Sequence, residues 1–123
     1  MAATGAILAG CTAADPNAVG STPDYAGSEI KRLSEDLVNV RVEVNDAMTP
    51  AEVSEYADCV AANYALTRDF AFARHVRTTL SVEGSLWLGD AVYTMSPALP
   101  EGLRTIDAQT RIAACLEAGI PTV

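Results

Sequence analysis

Leu37-Val-Asn-Val-Arg-Val-Glu-Val44 alternates apolar and polar residues without a break. A strand turns successive side chains to opposite faces, so Val38, Val40, Val42 and Val44 share one face. Asn39, Arg41 and Glu43 share the other. Wound into a helix, the same valines would spread around the whole circumference and bury on no single side. Their β-branched side chains also fit a pleated, half-buried surface. One such strand is not stable alone. It requires neighbours along its edges and a second layer over the valine face.

The next segment has the signals of that second layer. Thr49-Pro50-Ala51-Glu52 combines a capping threonine, a proline suited to the first helical turn and a glutamate at the capping-box position. The helix is expected to run to about Arg68. Val53, Tyr56, Ala57, Val60 and Tyr64 form its apolar stripe, with Cys59 at the edge. Alternation returns from Phe70 to Val82, where Phe70, Phe72, Val76, Leu80 and Val82 are expected to share a face, broken by Arg74. Glu83-Gly84-Ser85 signals a turn, and Leu86 to Met95 completes a hairpin. Gly89-Asp90 offers a rival turn or a bulge. A loop from Leu99 to Arg104 leads to a last helix, capped by Thr105 or Asp107, with Ile112, Ala113, Cys115 and Leu116 along it. Gly119 and Pro121 end it. Ahead of the first strand, Ile30, Leu33 and Leu37 have helical spacing and, with Ser28 as an N-cap candidate, predict a short helix within Tyr25 to Asp36.

The expected order is (α)-β-α-β-β-α. Its economical packing is an α+β two-layer sandwich, with a three- or four-stranded, mainly antiparallel sheet and helices on one face. The 123 residues suffice for one domain, placed at 25–123.

The start of the chain has a different character. Leu8-Ala9-Gly10-Cys11 is a run of small residues ending in cysteine, with Ala6 and Ile7 adding apolar character before it. Thr12 to Asp24 is small, polar and interrupted by Pro and Gly, a composition suited to a tether. This succession resembles the beginning of bacterial lipoproteins. The resemblance implies a residual signal peptide over 1–10, a lipid on the thiol of Cys11, and a flexible tether over 11–24. It further implies a place in the bacterial envelope, on the periplasmic side of the inner or outer membrane. The three acyl chains of such proteins exceed the two signals that stable anchoring requires.

The chain has three cysteines. With Cys11 assigned to lipid, Cys59 and Cys115 remain as a pair, on two helices expected to lie side by side. A structural disulfide is the favoured reading. Buried free thiols are an alternative, and redox or metal chemistry is a weaker one, since the chain has no Cys-x-x-Cys and a single histidine.

No nucleophile, zinc or phosphate-loop motif is present, so an enzyme is the least favoured class and neither a cofactor nor a metal is expected. Glu52, Glu55 and Asp58 follow one another at about one helical turn and read as a solvated face. A formal charge of −8 disfavours nucleic acid. Strand Leu86–Met95 is apolar on both parities. If Leu86, Leu88 and Val92 meet the helices, Trp87, Tyr93 and Met95 point away. Together with His75 and Arg77 they would make an aromatic, positively edged patch for a partner. The expectation is a lipid-anchored accessory or interaction protein, joined to an envelope partner or to a second copy. The alternative is a small-ligand binding domain on the same hairpin face.

Overall fold

The computed structural model describes residues 23–100 and 104–123. Leu8 to Cys11, the run that resembles a lipoprotein start, and nearly all of the expected tether lie outside them. Five strands and two helices follow in order: β1 (Asp24–Arg32), β2 (Leu37–Asn45), α1 (Pro50–Thr67), β3 (Phe72–Glu83), β4 (Leu86–Ser96), β5 (Thr105–Asp107) and α2 (Ala108–Ala118). The strands form one open antiparallel sheet in the order β1-β2-β4-β3-β5.

The valine row is the floor of the core. Val38, Val40, Val42 and Val44 are all fully buried. α1 lies over them and buries Val53, Tyr56, Ala57, Cys59, Val60, Ala61, Ala62 and Ala65. Its start is the expected capping box, with the Thr49 side chain accepting from the Glu52 amide and the Glu52 carboxylate from the Thr49 amide. The many alanines bring the helix close to the sheet. The closest approach is at Gly89, where an added Cβ would stand 2.7 Å from a Val53 methyl and 3.1 Å from one of Val42. Gly89 is therefore neither a turn nor a bulge. It is the place where α1 rests on β4.

Three sequence expectations are corrected. The short helix in Tyr25–Asp36 is instead strand β1, paired along β2. A bulge between Tyr25 and Gly27 hides its period of two. Tyr25 and Ile30 nonetheless both pack on the core. Thr105–Asp107, ahead of the last helix, forms a fifth strand against Phe72–Arg74. The parity of the hairpin is also reversed. Trp87, Gly89, Ala91, Tyr93 and Met95 face the helices, while Leu86, Leu88 and Val92 lie on the outer face. Hydropathy does not separate these two sets. Size does, because a close-lying helix needs Gly89 and Ala91 beneath it.

β3 reaches the same face through Ala73 and His75, then bulges at Val76 and resumes with Thr78, Leu80 and Val82. The expected grouping of Phe72 and Val76 with Leu80 and Val82 therefore fails. Phe72 is on the outer face, and Val76 is 43% exposed.

α2 starts at Asp107, whose carboxylate accepts from the Thr110 amide, and ends at Gly119 in the left-handed conformation. Only Ala108 and Cys115 of α2 are fully buried. Cys115 stands at disulfide distance from Cys59 on α1, with Cα atoms 6.0 Å apart. The link closes 56 residues of chain.

Replacing Cys59 and Cys115 together by alanine should lower unfolding stability by about 2–5 kcal/mol, read from urea melts. The α2 amides should be the first to lose hydrogen-exchange protection. Gly89→Ala should cost about 1–3 kcal/mol in the same melts, because the new methyl overpacks against Val53. A neutral Gly89→Ala would mean that α1 does not rest there.

Candidate functional site

The five residues proposed for a binding patch do not share a surface. Arg77 lies on the outer face, opposite Val92. Trp87 packs against the core at the turn end of the hairpin. Tyr93 and Met95 are buried under the helices. His75 is on that same inner side, paired with Tyr93 across the strands.

Instead, the fold gathers a polar cluster where β3 and β4 pass beneath the helix pair. The Tyr93 hydroxyl donates to Asp58 Oδ1 at 2.6 Å. The His75 ring meets the Tyr93 ring edge-on, with centroids 5.4 Å apart. His75 Nε2 is 2.5 Å from Thr78 Oγ1, and Arg104 Nη1 is 3.4 Å from His75 Nδ1. An arginine can only donate, so Nδ1 accepts and Nε2–H donates to the threonine. Arg104 also receives the His75 amide at its carbonyl, 3.1 Å away, and has φ 64. Arginine rarely adopts this left-handed conformation, and the two hydrogen bonds to His75 hold it there.

The disulfide sets the helix side of this cluster. Asp58 precedes Cys59, and Arg111 lies one turn before Cys115. The linked pair thus brings the Arg111 guanidinium within electrostatic reach of the Asp58 carboxylate. Burial lifts the Asp58 carboxyl above its ordinary pKa, and the Tyr93 hydrogen bond and Arg111 offset part of that rise. Burial, and then the Asp58 charge, push the Tyr93 phenol far above its ordinary value. Tyr93 therefore keeps its proton at any physiological pH and acts as a donor. Each polar atom of Tyr93 and His75 is engaged within the protein, and the Tyr93 ring is fully buried. The arrangement braces α1 to the hairpin.

Four of these residues escape sequence reasoning: Asp58 reads as part of a solvated helix face, and nothing local marks Thr78, Arg104 or Arg111. The available signal was adjacency: a carboxylate beside a cysteine already expected to face a second helix.

The outer face of the sheet is polar across its centre. Asp90 accepts from the Asn39 side chain and lies 3.9 Å from Arg41, the one ion pair among the described residues. Glu29, Glu43, Thr79 and Ser81 surround a shallow hollow there.

A family model described as the YNQ4 C-terminal domain matches residues 25–119. The chain belongs to that family. The YNQ4 C-terminal domain match takes in all five strands and both helices. A Paracoccus denitrificans protein named "Uncharacterized 26.9 kDa protein in nqo8 5'region" is 25% identical to the chain over 104 residues. That alignment covers 80% of this chain and 41% of the relative, so the chain spans about two fifths of the relative's length. No solved structure matches.

The Asp58–Tyr93 pair has a defined pH signature. The folded pKa of Asp58 is raised, so the folded state holds this proton more tightly than the unfolded chain. Its contribution is fully present below the ordinary carboxylate range and is lost as pH rises through the raised folded value. Asp58→Asn keeps an acceptor for Tyr93 and removes the charge. It should match or exceed the wild type in urea melts at pH 7 and show a shallower loss of stability between about pH 4 and 7. Tyr93→Phe should cost about 1–3 kcal/mol at pH 7, because it strands the carboxylate. An Asp58→Asn protein several kcal/mol weaker at pH 7 would contradict this reading.

Proposed function

We propose that the chain is the folded domain of a lipid-anchored envelope protein, where it works as a non-catalytic accessory or interaction module. One observation carries the reading. Cys59 and Cys115 are partners, which leaves Cys11, the residue that ends Leu8-Ala9-Gly10, as the single remaining cysteine. Stable disulfides belong to oxidising compartments such as the periplasm, which agrees with export. Two further features support an interaction role. The outer sheet face has no second layer over it among the described residues, and the Tyr93 hydroxyl and both His75 ring nitrogens are engaged within the protein. The proposed link to the membrane is the lipid on Cys11; no described helix is long and apolar enough to cross one. The net charge of −8 argues against nucleic acid as the partner.

The second reading is a small-ligand domain. It draws on His75, Arg104 and Arg111, three of the few basic groups of an acidic chain, near the Asp58 carboxylate. Purification from detergent-solubilised membranes separates the two. A stoichiometric protein partner supports the interaction module, and a solitary chain carrying a bound small molecule supports the ligand domain.

Metabolic labelling with a clickable palmitate analogue tests the anchor. The wild type should take up the label and fractionate with membranes. Cys11→Ser should take up none. Equal labelling of the two proteins would refute lipidation at this residue.

A further inference from the structure

The two edges of the sheet differ in a way that points to a specific partner. Along the β1 edge stand Asp24, Glu29, Lys31 and Arg32, and the strand is bulged between Tyr25 and Gly27. Charges and bulges of this kind discourage strand addition. At the opposite edge, β5 pairs only with Phe72–Arg74 of β3, and the Arg104 carbonyl takes the next amide, that of His75. From Arg77 to Glu83, β3 has no second neighbour among the described residues. This free stretch has neither proline nor bulge. Its middle, Thr78-Thr79-Leu80-Ser81-Val82, is uncharged and rich in strand-forming residues. Val82 is 52% exposed on the side where a helix would otherwise cover it.

We propose that this free half of β3 is a self-association edge, and that two copies of the chain join antiparallel about Leu80. The charges at its ends fix the occupant and the register. Arg77 and Glu83 both lie on the outer face and are exposed. They are equidistant from Leu80 in sequence. In an antiparallel pair centred on Leu80, Arg77 of each copy stands opposite Glu83 of the other, giving two equivalent ion pairs. On the inner face Leu80 meets its own copy and Thr78 meets Val82. On the outer face Thr79 meets Ser81. A shift of two residues either way places Arg77 against Ser81 or Ser85 and breaks both ion pairs. A shift of one turns the leucines and valines to the wrong face. The contact is isologous, so it closes as a twofold dimer and does not propagate. The five-stranded sheet becomes a continuous ten-stranded one, with both helix pairs on the same side of their own halves. Self-pairing at this edge stands independently of the membrane tether, since it uses only residues of β3.

Sedimentation equilibrium of the full chain tests the edge, with variants at positions that no core contact uses. The wild type should be a reversible dimer. Arg77→Glu and Glu83→Arg, each alone, set like charges opposite one another twice and should weaken the dimer by at least about tenfold. The double variant Arg77→Glu with Glu83→Arg exchanges the two charges and should restore dimerisation to within about threefold of the wild type. Circular dichroism should show all three variants folded. A wild type that stays monomeric up to about 1 mM would overturn the proposal. So would a dimer unmoved by the single reversals, or a double variant no better than the worse single one.

Discussion

α2 buries little of its own surface, and the link between Cys59 and Cys115 holds it in place. Its fully buried side chains are Ala108 and Cys115, while Leu116 is 71% exposed. A short helix with so small an apolar seat gains little from burial, roughly 25 cal/mol per Å² of apolar surface. The cross-link removes the freedom of a long loop in the unfolded chain, worth about 4 kcal/mol in the chain-entropy account. That is comparable with the whole net stability of a small domain. The disulfide thus secures α2, and with it Arg111, together with the packing of Ile112 and Ile120 and the pairing of β5 just before the helix.

The rest of the inner layer follows from α1. Its alanines, with Gly89 and Ala91 below, set a short distance between helix and sheet. At that distance the larger Tyr56 and Tyr93 fill the ends of the core, each with its hydroxyl paired. Tyr56 donates to the Val123 carbonyl at 3.2 Å, and Tyr93 donates to Asp58. The half-buried carboxylate is tolerated because it accepts from Tyr93 and lies near Arg111 and His75.

Much of this order was legible in the residues. The valine alternation, the Thr49 capping box, the hairpin turn at Glu83-Gly84-Ser85, the Gly119 stop and the cysteine pair each report a local physical requirement. The failures share a cause. β1 was read as a helix because a bulge after Tyr25 breaks its period. The hairpin parity was reversed because Leu86, Leu88 and Val92 are as apolar as Trp87, Tyr93 and Met95, and only the helix above decides between them. Asp58 looked solvated for the same reason, since its burial depends on Tyr93, which is distant in sequence. The family match extends over residues 25–119 and leaves Leu8 to Cys11 outside it, so the fold and the proposed membrane address rest on separate observations.

Both meet at the cysteines. Pairing of Cys59 with Cys115 positions α2 and leaves Cys11 as the cysteine for the proposed lipid. Non-reducing peptide mapping of the full chain, purified from the cells that express it, tests this most directly. The account predicts one cross-linked species, joining the peptides of Cys59 and Cys115, with Cys11 absent from every disulfide. A disulfide between Cys11 and either of the other two, or free thiols at both Cys59 and Cys115, would contradict it.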